Sequence, residues 1–359
     1  MVTGIGGGGH GEQILKALRL GERSYDIVGC DMSPYSKGLK EVDHPYVVPS
    51  ARDPQYVQKI LAICKKHRVK ALFHGSEPEL LIMSRNRDVF MKEGIFLPIN
   101  PESVIETCMS KSKTFRFMES HGFLHPATRV FGNPEDVKEW SCFPAILKPS
   151  VGSGGSAHTF IAHSREELQM LGSYLLNSKV CPEIIVQEYV GTPQMEFTVG
   201  VLSDMNGALL NSIGVKRDLS SSLSCRIRVP NRTGLAEYGR YLSVSTGVSQ
   251  GEIGPFPSVT APCEGLAKAL GACGPINIQC RVHKGQVYVF EVNPRFSGTT
   301  SIRAMVGFNE PDILIRKHVL GEDITPRFLY KTGVVVRGLE EAFFEESDLN
   351  KWALPPRTR

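Results

Sequence analysis

The sequence predicts an N-terminal α/β unit built on a parallel sheet, followed by a larger α+β body. Three observations carry this. Short apolar strands alternate with helical stretches through residues 1–100. From Pro126 onward, β-rich pieces follow one another between glycines and prolines. With 359 residues the chain is long enough for two or three packed domains.

In the first unit, Met1–Ile5 reads as a strand and Gly11 opens a helix. Tyr25–Asp31 is the second strand, Pro54–His67 a helix and Val69–His74 a third strand. A helix starts near Glu77, Gly94–Ile99 closes the sheet, and Asn100-Pro101 signals a turn and the next helix start. The later strands are expected at Thr128–Phe131, Ala145–Lys148, Ala157–Ala162, Ile184–Tyr189, Glu196–Ser203 and Ala208–Val215. Pro275–Val282 and Gln286–Asn293 form a hairpin around His283-Lys284-Gly285, a spacing that suits a three-residue loop with a left-handed glycine.

Composition excludes several classes. An apolar fraction of 41%, a charged fraction of 22% and a mean hydropathy of -0.12 describe an ordinary globular chain. No run approaches the roughly 18 apolar residues of a membrane span, and residues 1–11 lack the basic and apolar regions of a signal peptide. The expectation is a cytoplasmic enzyme without a membrane partner. Nine cysteines without a CxxC pair suggest reduced thiols rather than disulfides or structural zinc. The net charge of +4, from 41 basic and 37 acidic residues interspersed along the chain, shows no basic block for nucleic acid.

Gly4-Ile5-Gly6-Gly7-Gly8-Gly9 satisfies GxGxxG between a strand and a helix, with Asp31 ending the second strand where a ribose-binding acid stands in dinucleotide sites. The same glycines fit a shifted frame, so a tight turn or an acidic-substrate site competes with NAD binding. A better nucleotide site lies downstream. Lys148 ends a strand and a Gly/Ser loop containing Ser153, Gly154 and Gly155 follows, so that lysine and loop amides can meet phosphates. A bare flexible turn is the competing reading.

Gln187-Glu188-Tyr189-Val190 runs to a strand end, where backbone groups can read adenine, and Glu196 starts the next strand as a candidate acceptor for ribose hydroxyls or as a solvated residue. In the last hairpin, strict alternation places Glu291 and Asn293 on one face with Val287 and Val289, and Gln279 diagonal to Glu291. Converging oxygen donors suit Mg²⁺, with phosphates completing the shell, and Arg295 follows as a partner for a transferring phosphoryl group. A structural hydrogen-bond cluster is the alternative.

Taken in order, these motifs resemble the ATP-grasp superfamily, in particular its carbamoyl-phosphate-synthase-large-chain-like and carboxylate–amine ligase members. Gly274-Pro275-Ile276-Asn277-Ile278-Gln279 and Phe290-Glu291-Val292-Asn293-Pro294-Arg295-Phe296-Ser297-Gly298 carry the resemblance most specifically. It implies a Rossmann-like pre-ATP-grasp domain at 1–105, an ATP-grasp small lobe with a glycine lid loop at 106–190, and a large lobe with the Mg site at 191–359. It also implies Lys111 as a nucleotide-contacting lysine, preceded here by Ser110 where relatives often carry Asp, with Lys113 as second candidate. Gln279 stands where many members carry an acid.

The implied activity is ATP-dependent ligation. Lys148 and Arg295 act in catalysis, ATP is bound with Mg²⁺ or Mn²⁺ held by Gln279, Glu291 and Asn293, and an acyl phosphate passes to an amine. The partners are small acid and amine substrates, and a homodimer is left open. Gly8, Glu77, Arg226, Arg228, Ser297 and Gly298 are substrate candidates. The rivals are a carbamoyl- or carboxyl-phosphate-forming enzyme using bicarbonate, a non-catalytic nucleotide-binding module, and an NAD-dependent oxidoreductase.

Overall fold

The computed structural model describes residues 1–150, 157–177 and 181–342. The first unit contains β1 (Val2–Thr3), α1 (His10–Arg19), β2 (Val28–Asp31), β3 (His44–Val47), α2 (Tyr56–His67), α3 (Glu77–Arg85) and α4 (Arg87–Lys92). Its strands are parallel in the order β1-β2-β3. The expected strands at 69–74 and 94–99 pass alongside with single parallel bridges, Val2 to Phe73 and Ala71 to Phe96. β3 was not foreseen because its sequence, His44-Pro45-Tyr46-Val47, contains a proline. At the sheet edge that proline is tolerated, since no further neighbour needs its N–H.

α5 (Glu102–Met109) and α6 (Lys111–Ser120) follow. A boundary at 105/106 falls inside α5, and Val104, Cys108, Phe115 and Met118 of these helices pack with Val199, Ile278 and Val289 of the later sheet. The small four-stranded sheet has the order β4-β7-β5-β6, from β4 (Thr128–Phe131), β5 (Ala145–Pro149), β6 (Phe160–Ala162) and β7 (Ile184–Glu188). α7 (Arg165–Asn177) covers it, burying Leu168 and Leu175 against Leu147, Ile184 and Val186. β6 is shorter than expected: His158 has φ +55, a left-handed conformation outside the strand range.

The six-stranded antiparallel sheet runs β14-β13-β8-β9-β12-β15. Its strands are β8 (Glu196–Ser203), β9 (Leu209–Arg217), β12 (Gly251–Gly254), β13 (Pro275–His283), β14 (Gln286–Asn293) and β15 (Gly333–Val335). β10 (Cys225–Pro230) and β11 (Tyr241–Ser245) pair separately. Every residue of the central strand β8 is buried. α8 (Pro257–Leu270) packs on this sheet, and α9 (Thr300–Met305) and α10 (Glu310–His318) lie against α1.

The β13–β14 loop differs from expectation. His283 pairs with Gln286, leaving a two-residue turn in which Lys284 (φ +50) and Gly285 (φ +77) are both left-handed. That is the type I′ geometry whose twist matches antiparallel strands.

The first and last parts of the chain share one core. Val2, Ile5, Ile14 and Leu18 pack with Leu202, Ile213, Phe296, Ile302, Phe308 and Ile313. Among the described residues, no helix is long and apolar enough to cross a membrane.

Candidate active site

A narrow pocket between the two antiparallel sheets and a wide cleft against the first unit share a wall. The pocket is lined by Lys148, Gln187, Glu188, Tyr189, Val190 and Glu196 among others. The cleft, of about 920 Å³, is bounded by Gly7–His10, Glu77, Asn293, Arg295, Ser297 and Gly298. Lys111, Gln279, Phe290 and Glu291 border both.

Lys148 comes from β5, where antiparallel pairing to β7 brings it beside Gln187. Its Nζ donates to Gln187 Oε1 at 3.0 Å and to the Phe290 carbonyl at 3.2 Å. Burial brings its pKa down to about 8; the Glu291 carboxylate opposes the fall and Lys111 adds to it. Gln187 holds the lysine in place, its Nε2 donating to Thr128 Oγ1 at 3.0 Å, while the residue borders the pocket. Glu188 accepts from the Ala127 amide at 3.3 Å, and the buried Tyr189 hydroxyl accepts from the Ser243 amide at 2.8 Å. Lys111 begins α6 on the shared wall, its amide donating to the Ser150 carbonyl at 3.3 Å, whereas Lys113 is exposed and borders neither cavity. Ser153, Gly154 and Gly155 lie outside the described residues.

Glu196 is buried rather than solvated. Its carboxylate is buried between Arg217, at 3.1 Å, and Arg281, whose Nε and terminal nitrogen lie at 3.0 and 2.9 Å. Burial alone would raise its pKa, but Arg281 and Arg217 outweigh that and hold it below the usual value. Both oxygens accept from guanidinium groups, and the residue borders the narrow pocket. Arg281 also donates to the Val190 carbonyl and lies 4.3 Å from the Tyr189 ring centre. It escaped the sequence reading, although Asn277, Gln279 and Arg281 alternate with buried Ile276, Ile278 and Cys280 along β13. The period-two argument applied to Glu291 would have found it.

The hairpin contains a β-bulge that strict alternation misses. Cys280 pairs with Val289 but Gln279 pairs with Glu291, leaving Phe290 as the extra residue. Val287, Val289 and Val292 therefore enter the core while Tyr288, Phe290 and Glu291 line the pocket. Glu291 and Asn293 thus lie opposite Val287 and Val289 rather than beside them, because a bulge re-aims every side chain beyond it.

Gln279 is directly across from Glu291, not diagonal to it. Its Oε1 accepts from Arg217 at 3.3 Å and its Nε2 donates to Glu291 Oε2 at 3.3 Å. In this arrangement the Gln279 oxygen faces Arg217 and its amide faces the Glu291 carboxylate. Glu291 and Asn293 remain as hard oxygen donors. Among the described residues there is no cluster of three or more His, Cys, Asp or Glu suited to a metal.

Arg295 faces the cleft, bonded to Asn293 Oδ1 and Glu77 Oε1, both at 3.1 Å. Gly8, Glu77, Ser297 and Gly298 border the same cleft. Arg226 and Arg228 do not join them: along β10 the side chains alternate, and both arginines fall on its exposed face, outside either cavity. Asp31 accepts from the Gly6 amide at 2.9 Å and the Ser33 amide at 2.9 Å, which ties the end of β2 to the glycine turn.

Residues 5–98 match a family described as the PylC-like N-terminal domain, and residues 180–342 match one described as ATP-grasp in the biosynthetic pathway with Ter operon. The carbamoyl phosphate synthase large chain of Thermoplasma acidophilum is 24% identical over 293 residues, which are 79% of this chain and 26% of that protein. The chain thus spans about a quarter of the length of that relative. Among solved structures, the biotin carboxylase domain of Hydrogenobacter thermophilus 2-oxoglutarate carboxylase, in complex with MgADP, ADP and bicarbonate, superposes with a TM-score of 0.60 at 16% identity, covering 91% of this chain and 70% of that one. The L-amino acid ligase of Bacillus licheniformis gives 0.58 at 18%, covering 88% and 74%. Residues 5–98 thus match a PylC-like N-terminal domain and residues 180–342 an ATP-grasp domain, and the solved structures share the fold of the whole.

Proposed function

We propose that the chain is an ATP-dependent ligase that activates a carboxylate as an acyl phosphate and joins it to an amine, releasing ADP and phosphate. One observation carries the reading: Lys111, Gln279, Phe290 and Glu291 border both the narrow pocket and the wide cleft, so a phosphoryl donor in one meets an acceptor in the other. The base lies against the Glu188–Val190 strand end and the phosphates extend past Lys148 toward Glu291. Mg²⁺ or Mn²⁺ bound with ATP supplies charge neutralisation on the phosphate oxygens, and Glu291 and Asn293 are the oxygen donors that fit it.

Lys148 holds phosphate charge from the small-sheet side and Arg295 does so from the cleft side. A substrate carboxylate beside Arg295 attacks the terminal phosphorus in line, and the amine then displaces phosphate from the acyl carbon. Small acids and amines suit a cleft of about 920 Å³. Bicarbonate is the second reading of the acid, supported by the anion in the Hydrogenobacter complex of the same fold.

The test is ADP and phosphate release from Mg-ATP across a panel of acids, bicarbonate included, and amines. Acid-dependent release with hydroxamate formed in hydroxylamine is expected, and binding of NADH without ATP sinks the reading. Glu291→Ala is expected to lower turnover at least about a hundredfold with an unchanged circular dichroism spectrum. A fully active variant removes the metal role.

A further inference from the structure

The wide cleft holds a histidine that the chemistry above does not use. His10 is the first residue of α1, and its Nε2 lies 3.3 Å from Nδ1 of His74, the rings meeting edge-on at 5.1 Å. His10 is 8% exposed and borders the cleft. Among the described residues no group bonds its other nitrogen, Nδ1. His74 is 1% exposed, and its Nε2 is buried without a partner.

These facts select a tautomer. One proton lies between the two rings. If His10 Nε2 supplied it, His74 would have to carry its N–H on Nε2, a buried atom that makes no hydrogen bond in this structure. If His74 Nδ1 supplies it, His74 Nε2 keeps only a buried lone pair. An orphaned buried N–H is the rarer defect. The second arrangement leaves an N–H on Nδ1 of His10, a residue that borders the cleft.

The surroundings suit an anion. Gly7 and Gly8, with φ +75 and +73 and open space above their Cα atoms, precede α1 on the same wall. Arg295, whose Nε is also unpartnered, stands on the same cleft. The other charged groups bordering the cleft are Glu77, which pairs with Arg295, Arg52, Glu106, Lys111, Arg217 and Glu291. Burial, Arg295 and His74 push the His10 pKa well below the ordinary imidazole value, and burial with Arg295 brings His74 to about 3. Both rings are neutral near pH 7.

We propose that His10, locked in one tautomer by His74, donates a neutral N–H to one carboxylate oxygen of the acid substrate, leaving the other oxygen to attack. Arg295 supplies the charge, and His10 itself transfers no proton. This rests on the reading of the cleft as the acid site, and its test separates the two claims.

The first measurement needs no turnover. Long-range ¹H–¹⁵N spectra of the full chain labelled in histidine, with His10 assigned through His10→Gln, are expected to show the Nδ1–H form unchanged from about pH 8 to 5.5. The Nε2–H form, or titration near 6.5, overturns the proposal. Acetate at millimolar concentration is the probe for the contact: a shift of the His10 Nδ1 signal is expected, and no shift counts against it.

With an acid that supports turnover, His10→Leu is expected to raise the KM for that acid about tenfold to a hundredfold, leave the KM for ATP unchanged, and be partly rescued by His10→Asn. An unchanged acid KM in His10→Leu overturns the role. An acetate shift without ATP consumption on any acid would sink the ligase reading alone.

Discussion

At the scale of residues, charges on the shared wall are set by burial and by specific partners. Lys148 is the clearest case, with an ordinary value of 10.5 brought to about 8. Phosphate binding favours the ammonium. Below pH 8 the free chain already holds it, and above pH 8 binding must take up a proton. ADP affinity is therefore expected to be flat up to about pH 8 and to fall about tenfold by pH 9, measured by calorimetry. Lys148→Met should bind more weakly and show no such fall.

Glu196 gives a second expectation at this scale. Removing it strands Arg217 and Arg281, both buried, so Glu196→Ala should cost about 3–5 kcal/mol in urea unfolding. A plain ribose ligand would instead weaken nucleotide binding with little loss of stability. The two measurements on one variant decide between these roles.

At the scale of elements, the β13–β14 hairpin does most to position the site. Its turn requires two left-handed residues, and Lys284 is the one that pays a steric cost at φ +50. Lys284→Asn should stabilise the chain by about 0.5 kcal/mol, read from the urea midpoint at constant slope, because Asn tolerates that conformation better. No change in stability would show that the turn is not under strain. The bulge at Phe290 was not legible in the sequence, since the apolar-polar alternation of Gln286–Asn293 accommodates either face assignment. Burial of Val292 in the core selected the bulged register, because the alternative would place Glu291 there.

At the scale of the whole molecule, the first and last parts of the chain are parts of one folding unit. Phe296 is fully buried and its ring centre lies 5.7 Å from that of Phe73, joining the segment after β14 to the first unit. Phe296→Ala should cost about 3–5 kcal/mol and weaken hydrogen-exchange protection in β1 and α1 along with β8. Loss confined to the large sheet would mean that the units open independently. The same junction carries Arg295 to Glu77, so the cleft exists only when both parts are docked.

The class of architecture, the order of the motifs and most strands near them were legible along the chain: β4 and β14 appear with the expected bounds, as does β8. These rest on local periodicity and turn chemistry, which neighbours along the chain encode. Only the tertiary structure decided that Glu196 is neutralised by Arg217 and Arg281, that Gln279 turns its oxygen to Arg217, and that His10 meets His74. Each depends on partners from 21 to 85 residues apart, Glu196 with Arg217 the nearest and Glu196 with Arg281 the farthest. Such meetings follow from which faces bury together, and no local pattern records that.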